Sequence, residues 1–390
     1  MLKRIHIGIV IVIGISFIGC SSTKTAFNLN EIEKIRVLKN VELYLNAEPI
    51  TVTSSFCKRS AGTLHDFYSE GDYWWPDLQN PDGPYIRKDG MTNPDNFTAH
   101  REALMRFSQI SGALGSAYIL TKEQIYANKL AIHLQAWFIN ENTKMNPNLL
   151  YAQAVKGIAT GRGIGIIDTI HLIEVAKAIQ AIEDSKSLSK ADLTAIKLWF
   201  STYLNWLTTH EYGIAERDNG NNHSVCWTMQ VAAFAELTND KPTMDFCRNF
   251  YKNTLLPNQM AKDGSFPLEL KRTKPYGYSL FNLDAMASIC QILSTKDDNL
   301  FTYTTKDGLN MNLGLQFMAP FIADKSLWPY QKDVMYWEEW PVRQSSLLFG
   351  GIALNNKKYF DLWKSLPADF TNPEVIRNMP VRYPLLWVIK

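Results

Sequence analysis

From Ala99 onward one pattern governs the chain: apolar residues return every three to four positions. That spacing lays a continuous stripe along an α-helix. Ala103 to Leu120, Glu123 to Phe138, Ile166 to Ile182, Asp192 to Thr208, Val225 to Leu237, Met244 to Leu255 and Leu280 to Leu293 all carry it. Turn chemistry separates these stretches at Asn146-Pro147-Asn148, Asp218-Asn219-Gly220, Asn239-Asp240-Lys241-Pro242 and Lys262-Asp263-Gly264. Strand-like alternation is scarce, and no short solenoid repeat is present. Helices of this length joined by short loops pack as antiparallel pairs. So many helical hairpins predict an all-α fold, an (α/α) toroid in which outer helices wrap an inner ring.

Composition narrows the function. Hydrophobic residues make up 46% and charged residues 20% of 390, enough for a full core and incompatible with global disorder. Forty basic residues face 38 acidic ones without a run of like charge. Attraction of nucleic acid by bulk charge is therefore excluded. Eleven Trp and 17 Tyr favour either flat apolar partners, such as sugar rings, or simply a large core.

The first residues read as an address. Lys3 and Arg4 precede an apolar run from Ile7 to Ile18, which ends in Gly19-Cys20-Ser21-Ser22. A short basic region, an apolar stretch too short to span comfortably and a small residue before a cysteine resemble a bacterial lipoprotein signal. Residues 1–19 are expected to be the signal peptide, Cys20 the lipidation site, 20–30 a tether and 31–390 one toroid domain. The expected location is outside the cytoplasm, periplasmic or outer-membrane-anchored, with membrane contact only through the lipid. Cys57, Cys226, Cys247 and Cys290 show no C-x-x-C or other metal spacing; buried free thiols are the default expectation, and the spacing leaves a disulfide among them open.

Residues 66–98 break the helical period. Asp72-Tyr73-Trp74-Trp75-Pro76-Asp77, Asn80-Pro81-Asp82-Gly83-Pro84-Tyr85 and Arg87-Lys88-Asp89-Gly90 form a long aromatic segment rich in Pro and Gly. Long ordered loops in compact domains are usually functional, so a lid or cleft wall is expected here.

Two polar clusters sit at helix ends. In Asp218-Asn219-Gly220-Asn221-Asn222-His223, Asn221 or Asn222 can cap the helix that follows. The free N–H groups and partial positive charge of a helix start, joined by two amides and an imidazole, make a seat for a carboxylate. In Lys271-Arg272-Thr273-Lys274-Pro275-Tyr276-Gly277-Tyr278, three cations precede two tyrosines at the opening of another helix. A neighbouring Arg favours the phenolate, so Arg272 is expected to draw Tyr278 toward the catalytic range. Gly161-Arg162-Gly163-Ile164-Gly165 lacks a preceding strand and the third-glycine spacing of a dinucleotide fingerprint. Its polar side chain is expected to line a surface. His100 and Arg101 supply a further candidate anion contact.

The runs MNPNLLYAQAVKGIATGRGIGIIDT, NNHSVCW and DGSFPLELKRTKPYGYSLFNLDAM together resemble the alginate lyase superfamily of polysaccharide lyases. The similarity spans roughly residues 74 to 293, in the same order. It implies an (α/α) toroid and β-elimination on a uronic-acid polymer such as alginate or glucuronan. It also implies an Asn-His pair, an Arg and a Tyr around the scissile sugar, which fall here on Asn222, His223, Arg272 and Tyr278, with Tyr276 a close competitor. Larger relatives add a C-terminal β-sandwich. The length remaining after Leu293 implies an incomplete toroid without it. Trp74, Trp75 and Tyr151 are candidate sugar-stacking surfaces, and Arg162, His100 and Arg101 candidate contacts for neighbouring carboxylates. Gln153, Asn221 and Tyr276 complete the candidate substrate contacts. No cofactor and no metal-ligand set is expected.

Two other functions fit the same toroid. A hydrolase would need two opposed carboxylates, with Asp168, Glu216 and Glu269 as candidates. A non-catalytic glycan-binding lipoprotein would use the Asn-His and Arg-Tyr clusters as ligand contacts.

Overall fold

The computed structural model describes residues 27–388; the expected signal peptide, Cys20 and the first part of the expected tether lie outside the described residues. The described residues open with α1 (Leu29–Glu42). After the irregular segment, α2 (Ala99–Thr121), α3 (Gln124–Phe138), α4 (Leu172–Ile182), α5 (Lys190–Thr209), α6 (Glu211–Arg217), α7 (Asn222–Thr238) and α8 (Lys241–Phe250) follow. The short α9 (Leu256–Gln259) and α10 (Pro267–Leu270) lead into α11 (Pro275–Leu293) and α12 (Met311–Ala323). The last helices are α13 (Ser345–Ala353), α14 (Lys357–Ser365), α15 (Pro373–Arg377) and α16 (Leu385–Val388).

Helices α2, α4, α7, α11 and α13 pack in sequence along an inner arc. Every residue of α7 from Ser224 to Ala235 is buried, as is every residue of α11 from Ser279 to Cys290. A helix surrounded by protein must be apolar on all sides, and these two have no solvent face in their middles. Helices α1, α3, α5, α8, α12 and α14 pack outside the arc. There α5 buries one stripe, Ile196, Trp199, Phe200, Tyr203, Leu204 and Leu207. The C-terminal segment bridges the ends of the arc: α16 packs on α2 and α4, and Trp387 lies 6.0 Å from Phe349 of α13. The result is an incomplete (α/α) toroid, and the stretch after Leu293 is helical rather than a β-sandwich.

Two predicted helices differ in detail. The stretch from Ile166 begins as a 3₁₀ segment, Gly163–Thr169, before α4. The glycines there serve close packing: a Cβ on Gly161 would lie 1.9 Å from the Leu150 carbonyl oxygen, and one on Gly165 would lie 2.5 Å from Ala152 Cβ. The stretch from Met244 ends in a wide π-turn at Tyr251–Leu255. Pro257 has no N–H for a carbonyl four residues back, and its ring crowds that carbonyl.

Strands are few. β1 (Tyr68–Glu70) pairs in parallel with β4 (Tyr151–Ala154), and β2 (Trp74–Trp75) pairs antiparallel with β3 (Ile86–Arg87). The segment 66–98 is tied down by its own amides. Asn93 Nδ2 donates to the Trp74 carbonyl at 2.9 Å and Asn96 Nδ2 to that of Gly71 at 3.0 Å. Cys57, Cys226, Cys247 and Cys290 are buried free thiols.

Candidate active site

The N-terminal ends of α7 and α11 open onto one cleft of about 270 Å³. Asn221, Asn222 and His223 come from α7, and Arg272 and Tyr278 from the start of α11. The β2–β3 segment supplies Tyr73, Trp74 and Arg87, and the β4 region supplies Gln153 and Arg162. Arg377 and Asn378 close the far side from the end of α15.

Local geometry fixes the α7 end. Asn221 is the cap, its side-chain oxygen accepting the His223 N–H at 2.9 Å. Gln259 donates to the Gly220 and Asn221 carbonyls at 3.0 and 2.9 Å, pinning the turn. Asn222 is held by the buried Glu269 of α10, which accepts its backbone N–H at 2.9 Å and its side-chain amide at 2.7 Å. Burial raises the Glu269 carboxyl above its usual range, against the lowering effect of those two bonds. His223 Nδ1 lies 2.7 Å from Oε1 of the fully buried Glu216. Its Nε2 has no partner among the described residues.

The α11 end is assembled from distant segments. Lys274 occupies the cap position without a side-chain cap, and Asp333 accepts the N–H groups of Tyr276 and Gly277 at 2.9 and 2.8 Å instead. The Tyr278 hydroxyl is 2.6 Å from the Tyr73 hydroxyl and accepts from Arg272 at 3.5 Å, and the guanidinium sits 4.5 Å from the ring centre. Arg272 is also held by Asp89, at 3.1 and 3.3 Å. The expected phenolate is not what this surrounding favours. Burial raises the Tyr278 phenol well above its usual range, Tyr73 adds to the rise, and Arg272 offsets only part of it. Tyr278 rests as a neutral O–H.

Beneath the cleft runs a chain of buried ion pairs. Asp72 accepts from Arg101 at 2.8 Å and from Arg377 at 2.6 Å. Arg377 also reaches Asp168 and Glu374, each at 3.5 Å, and Glu374 holds Lys274 at 2.8 Å. Burial opposes the Asp72 charge, but Arg101 and Arg377 outweigh it and keep the carboxyl below its usual range. Arg162 is different. Among the described residues it has no carboxylate partner; it donates to the Gln153 carbonyl at 2.8 Å and lies 5.6 Å from the Trp74 ring centre.

The cleft therefore gathers Asn222, His223, Arg272 and Tyr278, with Trp74, Gln153, Arg162 and Asn221 of the expected contacts. Five expected contacts lie elsewhere. His100 is buried, with Nδ1 accepting the Tyr68 N–H at 2.9 Å and Nε2 at 2.9 Å from the Ser55 carbonyl. Arg101 is consumed by Asp72. Tyr276 is fully buried, donating to the Phe321 carbonyl at 3.0 Å and packing on Trp328. Tyr151 packs with Cys57, Tyr68 and Ala154, and Trp75 turns outward to donate to the Met91 carbonyl. Asp324 to Arg343 braces α11 from behind through Asp333 and forms no wall of this cleft. Sequence reasoning missed Tyr73, Arg87, Arg377 and Asn378. Tyr73 and Arg87 stood inside the aromatic segment. The C-terminal pair carried no local signal, because its role comes from the chain's return across the cleft. Among the described residues no three or more His, Cys, Asp or Glu side chains converge as a metal site.

A helical toroid with an Asn-His pair, an Arg and a Tyr around one cleft belongs to the class of polysaccharide lyases. A family model for alginate lyase matches residues 52–328, well over half of the chain, and the chain belongs to the alginate lyase family. The crystal structure of an alginate lyase from Bacteroides ovatus is 30% identical, with a TM-score of 0.80 over 94% of this chain and 96% of that one. Alginate lyase A1-III, a variant solved with a tetrasaccharide, is 14% identical, with a TM-score of 0.60 over 91% of this chain and 94% of that one. The same enzyme from Sphingomonas species A1, in another crystal structure, is 14% identical, with a TM-score of 0.57 over 91% and 95%. At that identity the likeness is one of fold. No curated protein sequence matches the chain.

Proposed function

We propose that this cleft cleaves a uronic-acid polymer, alginate or a related polyuronate such as glucuronan, by β-elimination. The C5 proton leaves to a base, the C4–O bond breaks, a C4=C5 double bond forms, and the departing oxygen takes a proton. The difficulty is the C5 carboxylate, whose charge makes the neighbouring proton very weakly acidic. Donors aimed at that developing charge are each worth about 3–4 kcal/mol in comparable sites. Arg272 and the Asn222 side-chain amide line the cleft as the donors to that charge, the backbone N–H groups of Asn222 and His223 being already taken by Glu269 and Asn221, and the chain itself thus carries the charge-neutralising groups.

His223 is the base and Tyr278 the acid when proton and leaving oxygen lie on opposite ring faces, as in guluronate. A shared face, as in mannuronate, would need Tyr278 to start as the phenolate in order to take the C5 proton and hand it to the departing oxygen. Its resting neutral O–H favours the opposite-face course. Arg162, unclaimed by any carboxylate among the described residues, seats the acid group of a neighbouring sugar, and Trp74 offers the flat surface beside it. The observation that carries this function is the meeting of His223 and Tyr278, 55 positions apart in sequence, in one cleft with Arg272 against the phenol. The hydrolase alternative loses ground on geometry. Asp168, Glu216 and Glu269 are all buried beneath the lining, each engaged by a neighbouring side chain.

The test is incubation of the purified protein with alginate blocks, glucuronan and related uronates in the presence of a chelator. Ultraviolet absorbance from 4,5-unsaturated ends is expected. Saturated ends would select a hydrolase, and binding without chain shortening a glycan-binding protein. We further propose that the chain is an exported bacterial lipoprotein acylated at Cys20, for which metabolic labelling with a fatty-acid probe, lost in Cys20→Ala, is the check.

A further inference from the structure

Glu216 has no counterpart among the groups assigned so far. It sits in the last turn of α6, fully buried, and Gly220 at φ +88° turns the chain so that this turn faces the start of α7. Its Oε1 lies 2.7 Å from His223 Nδ1, while its Oε2 is buried without a partner among the described residues. The other buried acids near the cleft are built differently. Glu269 has both oxygens engaged by Asn222, and Asp72 has both engaged by arginines. A carboxylate that only held the fold together would be satisfied in the same way. Glu216 instead spends its one bond on an imidazole.

We propose that Glu216 is a positioning residue for the elimination: its Oε1 accepts the proton on His223 Nδ1 and so fixes the ring form whose bare Nε2 faces the cleft as base. This rests on the proposed lyase function. An imidazole has one proton to place in its neutral form, and whichever nitrogen holds it is a donor while the other is the acceptor. With the proton held toward Glu216, Nε2 has only a lone pair to offer. The buried pair then carries one negative charge, which its apolar surroundings disfavour. Taking the C5 proton at Nε2 neutralises the pair.

The test is a comparison of wild type with Glu216→Gln and Glu216→Asp, by steady-state kinetics on the best polyuronate substrate and by nitrogen NMR of the His223 ring. In wild type the spectrum is expected to show a protonated Nδ1 and a bare Nε2. Glu216→Gln should mix the two ring forms and lower kcat roughly 10²-fold with KM little changed, and Glu216→Asp should recover part of that loss. A wild-type spectrum with the proton on Nε2 overturns the proposal, as does a Gln variant that keeps its kcat or changes only KM. Wild type that eliminates no polyuronate refutes the lyase function instead, while the ring spectrum still decides the role of Glu216.

Discussion

The two helix starts that meet at the cleft are built in opposite ways. At the α7 end the cap and the partner of the base are local: Asn221 lies one residue before the helix and Glu216 seven residues before His223, with Gln259 and Glu269 as the remote braces. The α11 end is remote: its cap, Asp333, lies 56 residues beyond Gly277, and Tyr278 leans on Tyr73, 205 residues away. A base can be prepared within one helix-turn-helix. An acid that must stay protonated needs a dry pocket, and here that pocket is assembled from three separate parts of the chain.

The sharpest way to break this comparison is at the acid. Tyr278→Phe removes one oxygen from a buried ring and is expected to cut turnover roughly 10³-fold with the melting temperature nearly unchanged; near-normal turnover would remove Tyr278 from the chemistry. The next largest effect concerns the charges under the remote side. Asp72→Asn leaves Arg101 and Arg377 undercompensated and is expected to cost about 3 kcal/mol in chemical denaturation.

A third prediction concerns pH. Glu174, beneath the C-terminal segment, accepts the Arg382 N–H at 3.1 and 3.0 Å and the Tyr383 N–H at 2.6 Å. Burial nonetheless pushes its carboxyl from 4.5 up to about 7. The folded chain therefore holds this proton more tightly than the unfolded chain, and stability falls as pH rises from about 4.5 to about 7. Glu174→Gln should flatten that fall by about 3 kcal/mol, measured as melting temperature across the window. An equally steep fall in the variant would contradict the assignment.

The two caps give a smaller contrast. Asp333→Ala and Asn221→Ala should each cost about 1 kcal/mol of stability. The first should also loosen the ring that carries Tyr278 and lower kcat several-fold. The smallest expected effect separates the two tyrosines: Tyr276→Phe loses one buried hydrogen bond, about 1 kcal/mol, and keeps turnover. A large kinetic loss there would reverse the choice between them.

The same contrast explains what could be read from sequence. The helices announced themselves through their period, and the Asn222-His223 pair through a turn and a cap in adjacent residues. The choice between Tyr276 and Tyr278 could not be made that way. Positions two apart on a helix point about 200° away from each other, so only one can face the cleft, and the facing is set by tertiary packing. His100 and Arg101 carried the right chemistry for anion contacts but were needed to hold the chain near Ser55 and Asp72. Arg377 and Asn378 reach the cleft only because the C-terminal segment closes the gap in the helical arc. The letters give residue types and local spacing; which groups become structural depends on which are buried with partners.

The most direct test of the central claim is the chemistry at the new chain end left by wild-type protein on polyuronates, followed by ultraviolet absorbance and mass spectrometry. The account predicts an unsaturated sugar at each new non-reducing end, lost in Tyr278→Phe. A product heavier by one water, with a saturated end, would contradict it.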